Sequence, residues 1–239
     1  RAMHTAISGR GFLHITATDL RLDVEDVQRY YAFAGLEITW EQARSVINYT
    51  EGWIIAVYLQ LKVYHETGAF SDEAILSLMD HLVWERLTEQ QQTFLLYLSP
   101  FETVTIQQAC ILAGFEALPE YALSALQNPF IRYERNTARY ELHSILSELL
   151  AIKRREHGEM FERECFIRAG NFCRDNNRNS EAIAFYRRIK NYRGILSIDF
   201  SHLIFNEIGD INFSSIVLEL VQNCPEEIQK EYPLSMLRI

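Results

Sequence analysis

The chain has 239 residues, 48% hydrophobic and 23% charged, which places it in the ordinary globular class and excludes a disordered one. A formal net charge of −9 argues against nucleic-acid binding by the chain as a whole, because phosphate contacts need clustered Lys and Arg. The longest apolar run, "WIIAVYLQL", falls short of the roughly 20 residues that span a bilayer.

No secretory signal opens the chain. It starts on "RAMHTAISGRGF" and stops inside a helical pattern, "YPLSMLRI", so it reads as a segment of a longer polypeptide. The four cysteines, Cys110, Cys165, Cys173 and Cys224, lie at long, unequal intervals. That spacing is neither a disulfide framework nor a zinc pattern, and it fits the reduced thiols of a cytoplasmic protein.

Only ten glycines and five prolines punctuate the chain, and most windows repeat apolar residues every three to four positions. The expected fold is mainly α. "FLHI" (Phe12 to Ile15) reads as a short strand. Asp23 caps a helix stopped by Gly35, and Thr39 caps the next. A strongly apolar helix follows "TEGW" and ends at Gly68, and Ser71 opens another that runs through Leu82. These form a compact helical group over about residues 21–82.

From Leu87 the pattern changes. Thr88 and Gln91 have capping-box spacing, and Pro100 ends the helix they open. "TIQQACILAG" closes at Gly114, and "LPEYALSALQN" starts with Pro119 in its first turn. "FIRYERNTARYEL" reads as a β-hairpin turning at Asn136-Thr137. Three short helices and then a hairpin is the order of a winged helix; the competing reading is a helical bundle with a loose loop. From Leu87 through Phe130 there is not one Lys or Arg, so a DNA-reading role for this segment is excluded.

Beyond Gly158, "FERECFIRAGNFCRD" and "SEAIAFYRRIKNY" form a helix pair across the polar turn "DNNRNS". Small residues at Gly170 and Ala182 permit close approach, as in a tetratricopeptide-type hairpin. The rest continues with two or three helices of the same kind, broken at Pro225 and Pro233. Arg168, Tyr186, Arg187 and Arg188 read as the wet face of these helices and carry no ligand site.

Motifs of catalysis are missing. There is no GxxxxGK[ST], GxSxG or HExxH, and Gly9-Arg10-Gly11 lacks the third glycine of a dinucleotide fingerprint. An enzyme is not expected from these residues alone.

In this order the pieces resemble a known family. "ITATDLRLDVEDVQRYY", "YTEGWIIAVYLQL", "LTEQQQTFLLYLSPFETVTIQQACILAG", "FIRYERNTARYELHSILSELL" and "AGNFCRDNNRNSEAIAFYRRIKNY" are similar to segments of the MalT-like, ATP-dependent LuxR-family transcriptional regulators, which are STAND-class ATPases. The resemblance implies the tail of a nucleotide-binding domain or a linker strand at 1–20, a helical lid at 21–84, a winged helix at 85–157 and the start of TPR-like repeats at 158–239. It implies ATP or ADP in the parent protein and no cofactor in this segment. The implied partners are the nucleotide-binding domain of the same polypeptide, an inducer on the repeats, and DNA only through a separate C-terminal helix-turn-helix. Switching between a monomer and an oligomer is implied too.

The same resemblance marks candidate nucleotide-sensing residues. His143, where "RYEL" turns into "SILSELL", would meet the β-phosphate of ADP from a helix N-terminus, as an imidazole N–H suits an anion there. Otherwise it caps or packs beneath the hairpin. Gly52 and Trp53 would cover the adenine, or else form a turn and a core tryptophan. Arg10 would be a sensor arginine, or else a solvated loop residue. The alternative function is a stand-alone helical-repeat adaptor that binds another protein.

Overall fold

The computed structural model describes residues 21–198, 200 and 213–238; the expected strand Phe12 to Ile15 and the candidate Arg10 lie outside them. The described chain is mainly α-helical with a small three-stranded antiparallel sheet. It divides into two compact units, Arg1–Val83 and Trp84–Ile239.

In the first unit, α1 (Val24–Phe33) and α2 (Trp40–Thr50) start at reciprocal capping boxes built by Asp23 with Asp26 and by Thr39 with Gln42. Each box satisfies two backbone N–H groups that no helix carbonyl can reach. Helix α3 (Ile54–Thr67) ends at Gly68, which takes the left-handed conformation (φ 72°). Ser71 caps α4 (Asp72–Leu82) by accepting from the Ala74 N–H. The core joins Val27 and Tyr31 of α1, Ala43 and Val46 of α2, and Val57 and Leu61 of α3. Helix α3 packs against both α2 and α4, which is why it is apolar nearly all round.

The second unit opens with a 3₁₀ turn, Trp84–Arg86, and then α5 (Glu89–Leu98), started by the Thr88–Gln91 capping box. A short strand, β1 (Thr103–Thr105), leads into α6 (Ile106–Ala113), and α7 (Glu120–Ala125) follows. Strands β2 (Ile131–Glu134) and β3 (Arg139–Leu142) form the expected hairpin, so the loose-loop alternative falls. The left-handed residue of its turn is Ala138 (φ 52°), past the Asn136-Thr137 pair. β3 lies between β1 and β2, with Val104 opposite Tyr140 on one side and Tyr133 opposite Tyr140 on the other.

The chain then runs through α8 (Ser144–Glu156), α9 (Glu159–Asp175), α10 (Asn179–Arg188) and α11 (Tyr192–Leu196). Later described helices are α12 (Phe213–Asn223), α13 (Glu226–Glu231) and α14 (Pro233–Arg238). Helix α9 packs against α5, α6 and α8 as well as α10, so the helix pair and the sheet-bearing segment belong to one unit. Tyr186 is wholly buried, which corrects its assignment to a wet helix face. All four cysteines are buried free thiols. No helix among the described residues is long and apolar enough to cross a membrane.

Candidate functional site

His143 stands where the sheet hands the chain to α8. The Leu142 N–H donates to the Glu102 carbonyl (2.8 Å), and the His143 N–H donates to the Phe130 carbonyl (2.9 Å). The join is thereby tied to the entry of β1 and the entry of β2. The His143 backbone is extended (φ −62°, ψ 144°), as an N-cap requires, and its Nδ1 accepts from the Ile145 N–H at 3.2 Å. The ring is 1% exposed and meets Phe130 edge-on at 6.0 Å. Because Nδ1 accepts, a neutral ring carries its proton on Nε2, so any donation to an anion is made from that nitrogen.

Gly52 and Trp53 lie in the first unit, and their geometry has its own cause. Gly52 sits at φ 73°, and a Cβ there would fall 2.4 Å from the Leu22 carbonyl oxygen. The Leu22 N–H donates to the Gly52 carbonyl at 2.8 Å. The close backbone approach at this glycine is therefore made by the chain itself. Trp53 is the N-cap residue of α3 and is half-buried.

The second unit holds a cluster that the sequence did not mark. Arg154 of α8 has a side chain only 3% exposed, ion-paired with Glu162 of α9 at 3.4 Å. It also donates to the Ser99 hydroxyl after α5, and its guanidinium lies 4.5 Å from the centre of the Phe166 ring. Burial pulls its pKa below the ordinary value, while the Glu162 charge acts in the opposite sense. Nearby, Arg168 of α9 donates to the Leu112 carbonyl of α6 (2.8 Å) and lies 4.2 Å from the Tyr97 ring centre. The Tyr97 hydroxyl donates to Glu164 at 3.3 Å, and burial raises the pKa of its phenol.

A third contact joins Phe101 to Phe172 and Phe185, with Arg178 set 5.5 Å from the Phe101 ring centre. Together these residues bind the helix pair α9–α10 to α5, α6 and α8 by stacked guanidinium groups and charge-assisted hydrogen bonds. In the sequence, "IKRRE" gives Arg154 no mark that separates it from its solvent-facing neighbours; only its distance to Glu162 and Ser99 does so. Among the described residues, no group of three or more His, Cys, Asp or Glu side chains is placed to hold a metal ion. The chain matches no protein-family model and no curated protein sequence.

Proposed function

We propose that this chain is a regulatory middle segment of a MalT-like LuxR-family transcriptional regulator. It couples the nucleotide state of the parent protein, and inducer binding, to oligomerisation and promoter activation, and it has no catalytic activity of its own. The observation that carries this reading is the order α5–β1–α6–α7–β2–β3 in a sheet with β3 at its centre, which is the winged-helix order. Its helical half holds no Lys or Arg, so this wing serves protein or nucleotide contacts in place of DNA. The helix pair α9 with α10, which this reading takes as the first tetratricopeptide-like repeat, is fastened to it by Arg154, Arg168 and Arg178. In this reading the fastening carries a change at the wing into the repeats as a rigid-body movement.

The adaptor alternative draws on one feature, the capping role of the buried His143 ring. Two substitutions in the parent protein separate the readings. His143→Ala removes ring and cap together, whereas His143→Asn keeps a good N-cap and removes the imidazole. Under the regulator reading both weaken ADP binding at least tenfold. Full ADP affinity in a folded His143→Asn protein excludes a phosphate contact by this ring. The 239-residue chain alone should not shift duplex DNA, and a salt-sensitive shift would overturn the assignment of the wing.

A further inference from the structure

Strand β2 is an outer strand of the sheet: it pairs with β3 on one side, and among the described residues no strand lies on the other. The phase of its hydrogen bonds follows from two contacts at the end of β3. The Leu142 N–H points away from β2, to the Glu102 carbonyl, and the His143 N–H points towards it, to the Phe130 carbonyl. Backbone groups alternate along an antiparallel pair, so Arg132 and Glu134 direct theirs at β3, while Ile131 and Tyr133 direct theirs outward. The Ile131 N–H is taken by the Asn128 carbonyl at 2.9 Å. Tyr133 keeps its N–H and carbonyl turned to the open edge, and the residue is 47% exposed. Side chains sort with equal regularity. On one face Arg132 lies opposite Glu141, to which it is ion-paired, and Glu134 lies opposite Arg139. On the other face the Tyr133 and Tyr140 rings stand 4.9 Å apart.

We propose that β2 is a self-association edge, which pairs antiparallel with β2 of a second copy about a two-fold axis at Tyr133. The two Tyr133 residues then exchange both N–H···O bonds, the closely bonded pairing of an antiparallel ladder. The sequence "RYE" is charge-complementary to itself about that point. Arg132 of each copy falls opposite Glu134 of the other, on the same face of the joined sheet. With the strands behind, that face carries a row of alternating charge: Glu141 and Arg132, then Glu134 and Arg139 of the second copy. The opposite face brings four tyrosine rings side by side, Tyr140 and Tyr133 from each chain. Moving the axis to either neighbouring residue sets Arg132 against Arg132 or Glu134 against Glu134, so like charges reject those registers. An open edge accepts many strands, and the reversed charge order that fits this one is present in the chain itself. A contact of this kind uses the same patch on both copies and closes as a dimer. The inference does not rest on the regulator reading, since it uses neither His143 nor a nucleotide.

Sedimentation equilibrium of the 239-residue chain should show a monomer–dimer equilibrium between micromolar and millimolar concentration, weakened by salt. Arg132→Glu and Glu134→Arg each set like charges opposite each other in the homodimer and should weaken it about tenfold. An equimolar mixture of the two variants opposes unlike charges again and should associate like the unaltered chain. Misfolding of a variant cannot produce that recovery. Tyr133→Pro removes an N–H that faces away from β3, so it should leave the circular dichroism unchanged and abolish the dimer. The proposal is overturned if the unaltered chain stays monomeric, which would leave the edge to a strand of another protein. It is overturned equally if either charge variant or Tyr133→Pro self-associates like the unaltered chain, or if the mixture of folded variants does not recover.

Discussion

The Tyr186 ring occupies the space where residue 170 has no side chain: a Cβ added to Gly170 would stand 2.5 Å from Tyr186 Cε1. Gly194 meets the same ring, with an added Cβ 2.6 Å from Cδ1. The Tyr186 hydroxyl donates to Asn171 Oδ1 at 2.7 Å, which holds the ring in place. Helices α9, α10 and α11 thus meet around one phenol.

Gly170→Ala should therefore destabilise the second unit, although alanine is the better helix former. The gain in helix propensity is about 1 kcal/mol, against about 1–3 kcal/mol for forcing the ring aside, and the ring is wholly buried with little room to move. Urea unfolding should show a net loss of up to about 2 kcal/mol. Adding Tyr186→Leu should recover part of it; strict additivity of the two changes would show that the ring is not what the new methyl meets.

Gly52→Ala should be costly for a different reason. The left-handed backbone costs a non-glycine residue about 1–2 kcal/mol, and here the new Cβ also runs into a backbone carbonyl oxygen at 2.4 Å. Gly68 has a similar φ of 72° but nothing within 4 Å of an added Cβ, so Gly68→Ala should cost only the conformational part. Thermal unfolding of the two variants in parallel checks this. Equal losses would show that Leu22 can move away.

Arg154 holds two segments together from a buried position. Arg154→Ala leaves Glu162 without its partner and removes the cation from the Phe166 face, so a loss of about 2–4 kcal/mol is expected. Arg154→Met keeps the packing of the stem and should lose less. Equal losses for Met and Ala would mean that the charge, and not the volume, dominates.

The buried thiols Cys165 and Cys173 should weaken the fold at alkaline pH. Burial pushes the Cys165 thiol up to about 12 and the Cys173 thiol up to about 11, from an ordinary 9.0. Below pH 9 both states keep these protons and the thiols have no effect on the balance. Above it the unfolded chain ionises while the folded one does not, so stability falls from about pH 9 until the folded thiols titrate near 11 to 12. Denaturation midpoints between pH 8 and 10.5 should decline in the parent chain and decline less in a Cys165→Ala, Cys173→Ala double variant. At pH 8 neither thiol should react readily with iodoacetamide in the folded protein.

Much of the local structure is written in short-range chemistry. Asp23, Thr39, Ser71 and Thr88 sit one residue before their helices and accept from backbone N–H groups a few positions on, contacts that need no distant partner. The left-handed stops at Gly68 and Gly114 are equally local, and so is the alternation of the hairpin. Strand β1 is different. Three residues, "TVT", have no pattern long enough to read, and they become a strand only because Arg139 to Glu141 arrive beside them from more than thirty positions away.

The same division runs through the candidate residues. A histidine at a strand-to-helix join is visible in the sequence and its bond to the Ile145 N–H is local, but its burial depends on Phe130 and the sheet closing over it. Gly52 is recognisable as a turn glycine, while the reason for it, the Leu22 backbone, comes from a different stretch of chain. Arg154 and Tyr186 look like ordinary helix residues until their neighbours are known. Periodicity and capping act within a few residues and so can be read along the chain. Burial and ion pairing are relations between distant segments, and only the tertiary structure decides them.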